Sequence, residues 1–319
     1  MHNAESHGRI PPARSGREVV VGVDGSAPSR SALALAARLA GDRRAGLRIL
    51  YALSMPVFAT PFTHTVRMPP DPDVADRASA LLTAAAEHIA ALHPGLSVVT
   101  EAAPPEPAPA LLAASRDAEL VVVGSRGLSG VGSLFLGSVS IRVSSHAACP
   151  VVVVPPGSAI ERVERPSIVV GVDDSPQSGA ALRFAFEEAA RTGADVVAVH
   201  AWQALGAFGT GGPTASGEVI DHETVMLRYR THFQGILDGA RAAGTGRVPA
   251  SLVIVEDHPA RALLAEGRAA DLIVVGSRGR GGFRGLILGS VSQAILHHAT
   301  VPVVVTRGGQ EGAATTGVV

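Results

Sequence analysis

The chain has no lysine: all 27 of its basic residues are arginine. That absence rules out a Walker A phosphate loop, a catalytic lysine and a Schiff base. A single cysteine, Cys149, rules out a disulfide within the chain, and its place before Pro150 and a valine run suits a small buried residue. No apolar run reaches membrane length, and residues 1–20 lack the apolar core of a signal peptide. The expected location is therefore the cytoplasm. Basic and acidic residues nearly balance, with a net charge of -1. No arginine excess marks a surface for nucleic acid or an anionic membrane. The histidines show no H-E-x-x-H or H-x-x-x-H spacing, so no zinc site is expected. Ser125 and Ser277 lie in G-S-R-G rather than G-x-S-x-G, which excludes a hydrolase elbow.

What is present is a repeat. Gly124, Gly127, Gly137 and Ser138 form G-x2-G-x9-G-S, and Gly276, Gly279, Gly289 and Ser290 repeat it 152 residues later. Each copy follows an apolar run, Leu120–Val123 and Leu272–Val275. The pattern reads as a buried strand, a glycine-rich loop and a helix opening at serine. Glycines allow close backbone approach, and helix N-terminal amides point at an anion, so the geometry suits a phosphate. Two further landmarks recur in order. V-V-G-V-D-G-S at 20–26 is echoed by V-V-G-V-D-D-S at 169–175, and the H-A-A-C-P-V-V-V-V run from His146 by H-A-T-V-P-V-V-V from His298. A period this long means tandem domains rather than a solenoid. The expected division is a flexible tail at 1–16, domain one at 17–156, a charged linker at 157–165, domain two at 166–308 and a flexible tail at 309–319.

Within domain one, strands are predicted at 18–23, 47–53, 96–101, 120–123 and 151–154. Helices are predicted at 28–40, 73–92, 108–117 and 138–147, with a proline-rich loop at 54–72. Domain two repeats the strands near 167–172, 195–201, 250–255, 271–275 and 302–306. Valine-rich strands alternating with helices imply a parallel sheet covered on both faces. Ligands of such sheets bind at the carboxyl ends of strands where the strand order reverses. Asp24 ends the first strand and Gly124 the fourth, so both face one crevice if those strands are neighbours. Asp173 and Gly276 would repeat the arrangement. Plainer readings stay open: the glycines can be ordinary loop glycines, and Asp24 and Asp173 can cap the helices that follow. Arg126 and Arg278 suit either a phosphate contact or solvent, and His200 suits a buried structural role.

These motifs together resemble the universal stress protein family in its tandem two-domain form, over nearly the whole chain. The resemblance implies two doubly wound α/β domains, each a five-stranded parallel sheet of order 3-2-1-4-5 with helices on both faces. It implies ATP as ligand, with Mg²⁺, because the full glycine pattern marks the ATP-binding branch. Carried over residue by residue, Asp24 and the backbone at Ala52 face the adenine side. Gly124 and Gly127 lie near ribose and phosphates, and Gly137, Ser138 and Val139 hold phosphates. The matching positions in domain two are Asp173, Ala201, Gly276, Gly279, Gly289, Ser290 and Val291. The chain departs from the family at Pro104 to Pro109, at Asp174 in place of a glycine, and in the dissimilar segments 54–72 and 202–218. The resemblance further implies that the fifth strands of the two domains pair antiparallel; a homo-oligomer, a dimer of two-domain chains, is a separate expectation. The output is expected to be conformational or through a protein partner, and neither nucleic acid nor membrane is expected as a partner.

The function so implied is a nucleotide-dependent regulator or interaction module in stress or dormancy. Fast catalysis is not expected, because the motif fixes no base beside the phosphates. The alternatives are a weak ATPase or nucleotidyl-transfer enzyme, and a ligand-free assembly module.

Overall fold

The computed structural model describes residues 17–52, 57–58, 66–67, 72–103, 106–127, 136–158, 165–203, 222–243, 247–280 and 288–308. Both expected tails lie outside these ranges, as does most of 54–72 and 202–218.

Domain one runs β1 (Glu18–Val23), α1 (Ala27–Arg43), β2 (Gly46–Ala52), β3 (Val57–Phe58), β4 (Val66–Arg67), α2 (Pro72–Leu92), β5 (Val98–Ala103), α3 (Pro107–Ala114), β6 (Leu120–Gly124), α4 (Ser138–His146) and β7 (Val151–Val154). Domain two runs β8 (Ser167–Gly171), α5 (Pro176–Thr192), β9 (Asp195–Trp202), α6 (His222–Ala243), β10 (Ala250–Glu256), α7 (Pro259–Gly267), β11 (Leu272–Gly276), α8 (Ser290–His298) and β12 (Val303–Thr306).

The first helix of each domain starts for a local reason. Ser26 caps α1, its side chain accepting from Ser29 N, and Pro28 stands in the first turn. Ser175 caps α5 in the same way through Ser178 N, with Pro176 as its first residue. Proline there loses no helical hydrogen bond. Both helices end in a left-handed residue, Arg44 at φ 53° and Gly193 at φ 74°.

One ten-stranded sheet spans both domains in the order β10-β9-β8-β11-β12-β7-β6-β1-β2-β5. Taking the five long strands of each half in chain order, each half reads 3-2-1-4-5. All neighbours inside a half are parallel. The seam is antiparallel: Val303 pairs Val153, Val304 pairs Val152 and Val305 pairs Val151. The fifth strands thus join the two domains of one chain, as the resemblance implied. Successive strand residues face opposite sides, so the seam valines divide between two core layers. Val152, Val154 and Val304 join the layer beneath α1 and α5, while Val151, Val153, Val303 and Val305 join the other. Each layer contains residues of both domains.

Three local expectations need correction. The third strand of domain one starts at Val98, because Leu96 N closes a turn onto His93 O. The helix expected at 108–117 ends at Ala114, where Arg116 N and Asp117 N bond the third residue back. Within 54–72, expected to be loop throughout, Val57 and Phe58 pair antiparallel with Arg67 and Val66.

Candidate functional site

The strand order places β1 beside β6 and β8 beside β11. The carboxyl ends of these pairs are where the chain turns in opposite directions, so each domain has its crevice there. Asp24 follows β1, Ala52 ends β2, Gly124 ends β6 and Gly137 precedes α4. Residues about a hundred apart in sequence therefore share one sheet edge. Asp24 Oδ1 accepts from Ser26 N at 2.9 Å, which ties the carboxylate to the turn before α1. A Cβ built on Gly127 would stand 2.7 Å from Asp24 Oδ2, so glycine here leaves room for that carboxylate.

The loop and the helix after it lock together. Gly137 N donates to Ser125 O at 2.8 Å, and Ser140 Oγ donates to Gly124 O at 2.7 Å. Domain two repeats the bonds from Gly289 N to Ser277 O and from Ser292 Oγ to Gly276 O. Gly137 and Gly289 are the N-cap residues of α4 and α8, and no side chain caps either helix. The first amides of each helix, at Ser138–Val139 and Ser290–Val291, thus lack side-chain acceptors at the crevice.

Gly124 and Gly276 are held as glycine by packing as well. They are the last residues of buried strands. A Cβ on Gly124 would meet Pro28 C at 2.9 Å, and one on Gly276 would meet Gln177 C at 2.9 Å. Neither has positive φ among the described glycines. They are glycine because the start of α1 or α5 passes directly over them.

In domain two a cavity of about 640 Å³ opens at this edge, within the range of small-molecule sites. All seven expected positions, Asp173, Ala201, Gly276, Gly279, Gly289, Ser290 and Val291, line it. Asp173 Oδ1 accepts from Ser175 N and Ser175 Oγ, and Oδ2 accepts from Arg280 N at 2.9 Å. A carboxylate offers roughly four acceptor positions, so about one remains for a ligand donor. Asp174 stands where domain one has Gly25, and both have positive φ, 66° and 84°. Its carboxylate meets His232 Nε2 at 2.6 Å and Arg280 Nη1 at 3.5 Å. The departure from glycine thereby ties α6 and the loop after β11 to the crevice.

Sequence reasoning missed Tyr229 and His258, which also line the cavity. Their one sequence signal is the aromatic pair Tyr229 and Phe233, four apart on α6. Trp202, which falls at the start of the dissimilar segment 202–218, ends β9 and is buried. His200 is buried with Nδ1 at 2.9 Å from Val172 O, and desolvation lowers its pKa. Among the described residues no cluster of three or more His, Cys, Asp or Glu could hold a metal. No described helix is long and apolar enough to cross a membrane.

Comparison with known proteins agrees with this architecture. The pattern of the universal stress protein family matches twice, at residues 16–155 and 164–307. The chain is similar to the universal stress protein Rv2005c of Mycobacterium tuberculosis, 36% identical over 293 residues, covering 91% of this chain and 96% of the relative. A universal stress protein of Mycolicibacterium smegmatis is 35% identical over 292 residues, with the same coverages. Among solved structures, a universal stress protein from Archaeoglobus fulgidus matches with a TM-score of 0.65 at 22% identity, covering 93% of this chain and all of that one. The chain belongs to the universal stress protein family, with two such domains in tandem.

Proposed function

We propose that the chain binds an adenine nucleotide, ATP with Mg²⁺, at one crevice per domain, and acts as a nucleotide-dependent regulator or interaction module in a stress response. The observation that carries this reading is that all seven expected positions of domain two line one cavity. Asp24 with Gly127, and Asp173 with Gly279, supply a carboxylate beside glycine backbone. The uncapped starts of α4 and α8 supply amides and the positive end of a helix dipole for phosphate. Mg²⁺ is commonly held by one or two carboxylates together with substrate phosphates. The Asp173 carboxylate is an oxygen ligand of that kind on the cavity wall. Output through partners, and a dimer of two-domain chains, complete the proposal.

Isothermal titration of the full chain with Mg·ATP tests it. Two ATP per chain are expected. Gly279→Ala, whose Cβ meets only the Asp173 carboxylate, should reduce the stoichiometry to one while the protein stays folded. Absence of heat at any ATP concentration, together with no thermal shift, would favour a ligand-free assembly module instead.

A further inference from the structure

The cavity of domain two has an aromatic wall that domain one does not repeat. His200 and Trp202 stand two residues apart on β9, so their side chains share a face of the sheet. His200 stacks on Phe233 with ring centres 3.7 Å apart. Tyr229 lies 5.1 Å from His200 and 5.6 Å from Trp202. The repeat offset puts Tyr51 and Leu53 at the matching places in domain one. The α2 positions that match Tyr229 and Phe233 hold Ala78 and Leu82, both buried.

Two ring nitrogens of this wall have no hydrogen-bond partner among the described residues. His200 Nδ1 faces the Val172 carbonyl, which only accepts, so Nδ1 carries the proton. Nε2 is then a bare acceptor, buried and unpartnered. Trp202 Nε1 can only donate, and it too is buried and unpartnered. His200 is 5% exposed and Trp202 9%, and both line the cavity. Folded proteins leave few such atoms, and each requires an explanation. Desolvation lowers the His200 pKa and so keeps the imidazole neutral and accepting.

We infer that this wall is the ring-reading half of the domain-two site, taking the planar nitrogen heterocycle of a nucleotide. His200 Nε2 accepts from a ring amine, and Trp202 Nε1 donates to a ring nitrogen. Tyr229 is only partly buried and lies against both rings, so a shift of its side chain would open the wall to the cavity. This inference rests on the proposed nucleotide reading and adds to it that the two sites are unequal. Domain two selects the ring, whereas domain one has neither the imidazole acceptor nor the indole donor, with Tyr51 and Leu53 at those places.

Trp202 is the only tryptophan, so the emission of the full chain reports on this wall alone. We expect ATP and adenosine to change that emission and inorganic tripolyphosphate to leave it unaltered. By calorimetry, Trp202→Phe and His200→Phe should each weaken ATP at one of two sites by about tenfold, with tripolyphosphate affinity unaffected. Trp202→Phe retains a ring and keeps the test open should His200→Phe fail to fold. If ATP fills both sites while the emission stays constant and both variants bind normally, the ring-reading wall is wrong and the nucleotide reading stands. If ATP binds no tighter than tripolyphosphate, the wall is likewise wrong. If none of the three ligands binds, the nucleotide reading falls and the wall with it.

Discussion

Arg43, on the last turn of α1, and Glu188, on α5, form an ion pair at 2.5 Å that bridges the two domains, with both side chains almost wholly buried. Arg43 also reaches Glu119 at 3.5 Å, and Arg191 reaches Glu188 at 3.5 Å. The pair has no mirror image. The residues 149 positions away are Thr192 and Leu39, which line an interdomain cavity of about 250 Å³ together with Glu188. Removing one member of a buried pair strands the other, at about 3–5 kcal/mol. Glu188→Leu should therefore lower the stability measured by urea unfolding by about 3 kcal/mol. Arg43→Met with Glu188→Leu should cost less than Glu188→Leu alone. A double variant less stable than that single one would show that the charges themselves hold the domains together.

The glycines separate into two functional groups by what a methyl would touch. Gly124→Ala and Gly276→Ala press on the backbone of α1 and α5. Each should cost about 1–3 kcal/mol of stability, as overpacking does. Gly127→Ala and Gly279→Ala press only on the Asp24 and Asp173 carboxylates, and so should weaken ligand binding with little loss of melting temperature. Melting curves and titrations of the four single variants distinguish these outcomes. Equal melting losses in all four would remove the distinction.

Arg307, just past β12, donates to Ser145 O and Ala147 O at the end of α4. A cation at a helix C-terminus satisfies free carbonyls and opposes the dipole. Arg307→Ala should cost about 1–2 kcal/mol and speed amide exchange at the last turn of α4, in the other domain. Exchange confined to domain two would contradict that cross-domain role.

The pKa of His200 lies below its ordinary 6.5 because burial outweighs the neighbouring Asp173 and Asp174 charges, with Arg280 adding to the lowering. The folded state therefore holds fewer protons than the unfolded chain in this range. Its contribution is fully present above pH 6.5 and is lost as the pH falls through the lower folded value. Between pH 7 and pH 5 wild type should lose more stability than His200→Phe, by no more than about 1.4 kcal/mol per pH unit. Equal losses would mean that His200 ionises freely in the folded protein.

Burial pushes the Cys149 thiol up to about 12. Native protein at pH 8 should react with a thiol reagent far more slowly than the unfolded chain, which should release one equivalent at once. Rapid native labelling would show that the end of α4 opens readily.

Much of the architecture is readable in the residues. The valine runs, the serine caps and the doubled glycine pattern are local signals, and each names its element because strand and helix periodicity are properties of neighbouring residues. The alternation of valine strands with helices also implied the parallel sheets, and the family resemblance implied the antiparallel seam at Val151–Val154. The seven positions that the resemblance implied for domain two line one cavity. What Gly124 and Gly276 are for was not legible. Close approach of Pro28 or Gln177 depends on how a helix crosses a strand end, and no spacing encodes that crossing. The same holds for the Arg43–Glu188 bridge and for the unpartnered nitrogens of His200 and Trp202. They depend on side chains from distant segments packing together, and the duplication that reveals the domains hides these contacts, because they are the places where the two copies differ.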